Sequence, residues 1–255
     1  MSEGFQDHYS NVAPSYARYR PRYPQALFEH LAALAPARDL AWDCATGNGQ
    51  AAAGLAAHFK RVVATDASHA QIANAQPHPG VEYRVAPAEQ SGLATDLVDL
   101  ISVAQALHWF ATPRFFAEAR RVLRAKGVLA AWCYGQMQIP NPDAQRALDK
   151  YYAETVGPYW PPERRLIEAG YRTIAFPFER IRAPRFTMQS SFTLEELAGY
   201  LGTWSATRRY IQATGQNPVP SLVRELASAW GDGGARQVVA WPLSLRIGRK
   251  PALHN

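Results

Sequence analysis

Short, mostly apolar runs alternate with helix-forming segments through the first half of the chain. We predict strands at residues 40–42, 61–66, 81–85, 97–103 and 127–134. Strands that are apolar along most of their length, rather than at every second position, are typical of a parallel sheet covered on both faces by helices. The pattern therefore predicts an α/β fold.

Capping residues mark two of the helices between these strands. Ser68 is predicted to cap a short helix that Pro77 ends, and Thr112 to cap a second one with Pro113 at its first position. Gly127 is predicted to end that second helix.

The pattern loosens beyond residue 134, where prolines at 140, 142, 158, 161 and 162 interrupt the chain. Helices are predicted at 143–154, 162–169, 193–200, 205–213 and 221–230, a strand at 186–192, and a last antiparallel strand at 237–247. We expect these helices to cap the sheet and select the substrate. The cap residues to test are Trp160, Trp204, Arg208 and Arg209.

Length and charge narrow the range of functions. The 255 residues are enough for one full core. The net charge of +6 comes from arginines that are spread along the chain rather than gathered in one block. This distribution favours a small anionic substrate over nucleic acid as the partner.

Cysteine usage and hydropathy predict a cytoplasmic protein. Cys44 and Cys133 lack the spacing of a metal site or a disulfide framework, so we expect neither. No apolar run approaches the length of a membrane span, and the polar start at 1–4 is unlike a secretory signal.

The segment WDCATGNGQ at 42–50 joins the first strand to an Ala-rich helix. Gly47 and Gly49 permit a tight turn and close approach to a ligand. Asp66 ends the second strand roughly twenty residues later, where nucleotide-binding folds place the carboxylate that binds ribose hydroxyls. The third glycine of a dinucleotide-binding loop is missing, which disfavours a dehydrogenase. An isolated Gly-x-Gly turn is common, so the prediction of a nucleotide site depends on this ordered set.

The chain resembles the class I S-adenosylmethionine (SAM)-dependent methyltransferases, specifically the methyltransferase type 11 group and its trans-aconitate methyltransferase-like branch. The motifs that carry the resemblance are DCATGNGQ at 43–50, ATDAS at 64–68, Ala88–Glu89 and QALHWF at 105–110, with further matches at 203–206 and 241–246. The resemblance implies a Rossmann-like, doubly wound, seven-stranded and mostly parallel sheet whose last strand is antiparallel. It also implies one domain with four parts: an N-terminal lid and first helix (1–36), a SAM-binding core (37–135), cap helices with the sixth strand (136–236), and the last strand (237–250).

SAM is the cofactor that the resemblance implies, with S-adenosylhomocysteine as the product. The residues implied to bind it are Tyr16, Arg20, Asp43, Ala45, Thr46, Gly47, Asn48, Gly49, Asp66, Ala67, Ala88, Glu89 and Gln105. Tyr16 would face the sulfonium and Arg20 a carboxylate. Asp43 would either bond to the amino-acid end of SAM or order the loop, and Asp66 would bind the ribose.

Two positions depart from the family pattern. Ala45 stands where glycine is common, and we expect the loop to accommodate its methyl group by keeping φ negative. Pro87 stands where an acid often bonds to the adenine amine, so adenine recognition would depend on the Ala88 backbone and Glu89.

His108 and Trp109 are the candidate catalytic residues, because they follow the fourth strand at the edge where open α/β sheets bind ligands. His108 would act as a general base or hold a substrate carboxylate. The alternative is a histidine packed under the lid. Trp109 would form the wall of the site.

The predicted reaction is O-methylation of a carboxylate or hydroxyl group on a small molecule. The alternatives are a SAM-binding sensor or scaffold without catalysis and an RNA or protein methyltransferase. The Asn-Pro-Pro-aromatic motif of enzymes that methylate nucleic-acid amines is replaced here by Gln105 to His108, which counts against the nucleic-acid alternative. Monomer and homodimer both stay open.

Overall fold

One eight-stranded sheet organises the computed structural model, which describes residues 21–251. Its parallel part comprises β1 (Leu40–Cys44), β2 (Arg61–Asp66), β3 (Val81–Val85), β4 (Val98–Ala104) and β5 (Leu123–Tyr134). Strands β6 (Glu179–Ile181), β7 (Thr187–Phe192) and β8 (Gln237–Arg249) complete it, and β8 runs antiparallel to β5, β6 and β7. The order β3-β2-β1-β4-β5-β8-β6, with β7 also paired to β8, confirms the predicted Rossmann-like fold.

Helices connect the strands and build the cap. They are α1 (Gln25–Leu34), α2 (Gln50–Ala56), α3 (His69–Ala73), α4 (Leu107–Phe110), α5 (Pro113–Val122), α6 (Pro142–Lys150), α7 (Arg164–Glu168), α8 (Leu194–Gly202), α9 (Ser205–Thr214) and α10 (Val219–Trp230). A π-helical turn (Tyr151–Thr155) and a 3-10 turn (Gly157–Tyr159) lie between α6 and α7.

Two predicted helix caps are confirmed. The Ser68 side chain accepts a hydrogen bond from the Gln71 backbone N–H at the start of α3. The Thr112 side chain accepts one from the Phe115 N–H at the start of α5, where Pro113 is the first helical residue. Each cap satisfies a backbone donor that the helix itself leaves unpaired.

Apolar side chains cover both faces of the sheet. On one face Ala41 and Leu100 belong to a cluster with Leu27 of α1 and Leu55 of α2. On the other face Trp42, Ile101 and Leu129 pack in a cluster with Phe115 and Ala119 of α5. All five residues of β1 are buried, which explains why its sequence is nearly continuous in apolar residues.

Several predicted bounds differ from the structure by a few residues, and two differences change the description of the fold. The predicted strand at 186–192 corresponds to β7, but the short strand β6 also pairs with β8, at its carboxyl-terminal half. The sheet of the described residues therefore has eight strands, and the predicted number of seven is wrong. Helix α5 ends at Val122 and β5 begins at once with Leu123, so the prediction that Gly127 ends the helix is wrong. Leu123 takes an extended conformation, with φ −64° and ψ 132°, and is fully buried as the first residue of β5.

Neither cysteine forms a disulfide, and both are buried. Burial raises the pKa of the Cys133 thiol to about 12, and it raises the pKa of Cys44 as well. Both thiols are therefore held protonated and unreactive at neutral pH. None of the helices within residues 21–251 has the length and apolar character needed to cross a membrane.

Candidate active site

The carboxyl ends of β1 and β4 lie side by side at the point where the strand order reverses direction. Open α/β sheets bind their ligands in the crevice outside such a point. Ala45 and Gln105, which follow these two strands, both have positive φ, 56° and 55°. Left-handed backbone at non-glycine residues is uncommon and is concentrated at functional sites. The structure thus brings two predicted site residues together at a strained edge.

The expectation that Ala45 keeps a negative φ is wrong. Its left-handed conformation costs about 1–2 kcal/mol relative to a right-handed one. The neighbouring residues hold it there, because the Thr46 N–H donates to the Thr65 carbonyl at 2.9 Å and the Gly49 N–H closes the turn onto the Thr46 carbonyl at 3.0 Å.

Asp43 orders this loop from beneath. Its side chain is fully buried and accepts hydrogen bonds from the Thr46 and Ser102 hydroxyls, both at 2.6 Å. Burial raises the pKa of its carboxyl from 3.8 to about 6, while the two hydroxyls and the Ala52 N–H pull that pKa down. Of the two roles considered for Asp43, these contacts support the ordering of the loop.

Asp66 joins the end of β2 to the same loop. One carboxylate oxygen accepts from the Gly47 N–H at 2.9 Å, and the other accepts from the Ser68 N–H at 2.9 Å. Asp66 is buried at the carboxyl end of β2. Ala67, the next residue, is exposed.

The two loop glycines serve different purposes. Gly49 has φ 86°, and a Cβ there would come within 2.3 Å of the Tyr83 hydroxyl, so the ring of Tyr83 fills that side. A Cβ at Gly47, with φ 56°, would meet Gln71 Oε1 at an ordinary 3.8 Å. The loop is therefore less crowded at Gly47, where a ligand can approach the backbone. An open glycine, an acceptor-only carboxylate and an exposed alanine fit the ribose and adenine of SAM.

Three further predicted residues lie on the adjoining loops. Asn48 contributes its carbonyl to the Gln76 N–H, which ties the loop to the segment after α3. Ala88 is buried and Glu89 half-buried in the turn that follows β3. The charge of Glu89 contributes to the raised pKa of Cys44 at the end of β1, after burial and the charges of Asp43 and Asp66. Tyr16 and Arg20 lie outside the described residues.

Gln105 spans the gap between the ends of β4 and β5. Its side-chain amide donates to the Tyr134 carbonyl at 3.0 Å and accepts from the Tyr134 N–H at 2.9 Å. Its backbone N–H donates to the Trp132 carbonyl at 2.8 Å. These bonds hold Gln105 in its left-handed conformation and fix the start of α4.

His108 lies in α4, and sequence reasoning missed its partner. Its Nδ1 is 2.9 Å from the Tyr171 hydroxyl, and its ring is 4.6 Å from that of Trp109. Burial, assisted by the positive charge of Arg164, lowers the pKa of His108 from 6.5 to about 3. The imidazole is therefore neutral at physiological pH, so a hydrogen bond that it donates to a carboxylate carries no positive charge. No local pattern marks Tyr171, which lies 63 residues away in the chain.

Three aromatic side chains of the cap, Tyr152, Trp160 and Trp204, form a cluster next to Arg164 of α7. Trp160 and Trp204 have ring centroids 5.6 Å apart, and Tyr152 contacts both. The guanidinium of Arg164 lies over the Trp160 ring, 4.4 Å from its centroid. A cavity of about 350 Å³ adjoins this cluster, and Tyr152, Trp160, Arg164, Arg165 and Glu168 are among the residues that line it.

Comparisons with known proteins agree with this geometry. Residues 42–131 match the family described as a methyltransferase domain. A protein of Dictyostelium discoideum that is named as a methyltransferase is 36% identical over 252 residues, which cover 96% of each chain. A Saccharomyces cerevisiae protein named as a SAM-dependent methyltransferase is 28% identical over 162 residues, 60% of this chain and 53% of the yeast protein.

A solved structure from Anaeromyxobacter dehalogenans, described as a candidate type II methyltransferase, is similar over nearly its whole length. It is 44% identical, superimposes with a TM-score of 0.88, and the match covers 92% of this chain and 99% of that one.

Proposed function

Because this chain belongs to the class I SAM-dependent methyltransferases, we propose that it transfers the methyl group of SAM to an oxygen atom of a small molecule. The observation that carries the proposal is the edge at the strand reversal, where the ends of β1 and β4 lie side by side and Asp66 bonds to the loop after β1. The finer resemblance to the trans-aconitate methyltransferase-like branch stays a prediction.

SAM would lie across this edge. Asp66 would accept both ribose hydroxyls, with Ala67 and Ala88 beside the adenine and Gly47 against the rest of the ligand; the bond from the Gly47 N–H to Asp66, which joins the loop to the end of β2, supports this arrangement. When bound, SAM would supply a methyl group activated by a sulfonium; transfer would break the C–S bond, form a C–O bond to the acceptor and release S-adenosylhomocysteine. The protein's part in such a displacement is to align the acceptor and exclude water.

The state of His108 favours a carboxylate as the acceptor over a hydroxyl. A carboxylate is already ionised at neutral pH and needs no base. A hydroxyl has to lose its proton, and an imidazole whose pKa is lowered to about 3 drives that transfer poorly. We therefore propose that His108, fixed by Tyr171, shapes the acceptor site together with Trp109 and that the product is a methyl ester.

The experiment that tests this proposal is an acceptor screen. The purified protein is incubated with SAM and a panel of mono-, di- and tricarboxylic acids, alcohols and amines, and S-adenosylhomocysteine is measured together with the mass of the product. We expect turnover of an acid to a product heavier by one methylene and cleaved by mild alkali. Turnover of an alcohol or an amine, with every acid refused, would contradict the proposal.

The remaining assignments are proposals of the same kind. The buried, free Cys44 and Cys133 support a reducing cytoplasm as the compartment. The acceptor is proposed to be a small anion, which suits the net charge of +6.

A further inference from the structure

We infer that Tyr152, Trp160 and Arg164 form a subsite that binds an anionic group, a carboxylate or a phosphate, of the methyl acceptor. The inference rests on the proposed function and extends it, because it assigns recognition of the acceptor to three cap residues.

Arg164 is held in place by aromatic rings rather than by a carboxylate. Its guanidinium carbon lies 4.4 Å from the Trp160 ring centroid and 5.5 Å from that of Tyr152. Its Nε donates to the Tyr152 hydroxyl at 2.8 Å, and that hydroxyl donates to Glu168 at 2.7 Å. No acidic side chain among residues 21–251 forms an ion pair with Arg164. A planar guanidinium that is positioned but not neutralised is suited to bind an oxyanion in two-point fashion.

Trp160 adds a second donor that lacks an acceptor. Its indole N–H is buried and has no hydrogen-bond partner within the described part of the chain, and the Nε of Arg208 shares this condition. A buried donor without a partner is costly. Because Trp132 and Trp241 in the core share this condition, the Trp160 N–H supports the subsite only together with the cavity that the residue lines. Trp160 and Arg164 both line the cavity of about 350 Å³, which is within the size range of small-ligand pockets.

The subsite lies next to the predicted catalytic residues. Helix α7, which carries Arg164, packs against α4, which carries His108. The charge of Arg164 is close enough to contribute to the lowered pKa of His108. Arg164, together with Arg165 in the lining of the cavity, therefore supplies positive charge to an anionic acceptor, while His108 stays neutral.

The test measures anion binding by itself, without methyl transfer. Benzoate, phenyl phosphate and neutral benzamide are titrated into the full-length protein in the presence of S-adenosylhomocysteine, and binding is followed by calorimetry and tryptophan fluorescence. We expect an anion to bind at least tenfold more tightly than benzamide. Benzoate and phenyl phosphate distinguish a carboxylate site from a phosphate site.

Three variants assign the binding to these residues. Arg164→Gln is expected to weaken anion binding by about 10- to 100-fold, the range for a lost charge-assisted hydrogen bond. Trp160→Phe keeps the ring under Arg164 but removes the N–H, and a smaller loss of about threefold to tenfold is expected. Arg182→Gln removes the charge of an exposed arginine beyond β6 and serves as the control, with affinity unchanged.

A structural role for the Arg164 stack makes different predictions. Arg164→Lys retains the positive charge without the planar guanidinium, so it should bind the anion better than Arg164→Gln. It should also keep the pKa of His108, measured by NMR, low, whereas Arg164→Gln should raise that pKa.

The inference is overturned if no probe anion binds, if Arg164→Gln weakens the binding of benzamide as much as that of benzoate, or if Arg182→Gln weakens anion binding as much as Arg164→Gln does. Affinity for SAM is measured in every variant and separates the two claims. If SAM binds normally but Arg164→Gln leaves the affinity for the anion unchanged, the subsite alone is contradicted. If the unmodified protein does not bind SAM, the proposed function is contradicted.

Discussion

Replacing the buried carboxylate beneath the loop should change how stability depends on pH. Asp43 is fully buried, and its pKa rises from 3.8 to about 6 on folding because burial outweighs the hydrogen bonds from Ser102 and Thr46. The folded protein therefore holds this proton more tightly than the unfolded chain does, and unfolding becomes easier as pH rises through this interval. Asp43→Asn has no proton to lose at this position.

The size of the effect follows from the shift. Each unit of pKa is worth about 1.36 kcal/mol, so a shift from 3.8 to about 6 corresponds to about 3 kcal/mol of lost stability at pH 7. Most of this loss develops between about pH 4 and pH 7 by the same relation. All other titrating groups are shared by the two proteins, so the free energy of unfolding of Asp43→Asn minus that of the unmodified protein should increase by about 2–3 kcal/mol over this range.

Urea denaturation at pH 4, 5, 6 and 7 measures that difference. Ser102→Ala provides the control, because losing one hydroxyl that donates to Asp43 should raise the pKa further and steepen the dependence on pH. A difference that stays flat with pH, or that favours the unmodified protein as pH rises, would refute the reasoning. It would mean that the hydrogen bonds outweigh burial.

Three further substitutions test the strained edge and the cofactor site. Ala45→Gly should raise the free energy of unfolding by about 0.5–1 kcal/mol, because glycine adopts the left-handed conformation without strain. Ala53→Gly, inside α2, is the control and should lower the free energy of unfolding by a similar amount. A change of the same sign in both variants would contradict the claim that Ala45 is strained. Gln105→Leu should lower the free energy of unfolding by about 2–4 kcal/mol, because it removes the two hydrogen bonds between the Gln105 side-chain amide and the Tyr134 backbone. A loss under about 0.5 kcal/mol would show that water replaces the amide. Asp66→Ala should weaken SAM binding in calorimetry at least tenfold, equal to about 1.4 kcal/mol; a change within twofold would remove Asp66 from the ribose site.

Local signals in the sequence predicted the parallel half of the fold well. The strands at 61–66 and 81–85 have the predicted bounds. The caps Ser68 and Thr112 were recognisable because each bonds to a backbone N–H three residues ahead. Buried parallel strands and capped helices are specified by neighbouring residues, which a pattern can reveal.

Elements that depend on distant partners were missed or misjudged. Strand β6 has three residues and exists because β8 offers an edge to pair with. The left-handed Ala45 is held by the bond that its neighbour Thr46 makes to Thr65 on another strand. The lowered pKa of His108 follows from its burial and from the charge of Arg164, which lies 56 residues further along the chain. Such conformations are set by tertiary contacts that no local pattern encodes.

Calorimetric titration with SAM and S-adenosylhomocysteine, with NAD as the control ligand, tests the central claim most directly. The account predicts micromolar binding of both sulfur ligands and no binding of NAD. Binding of NAD, or the absence of heat with either sulfur ligand, would contradict the assignment of the edge between β1 and β4 as the SAM site.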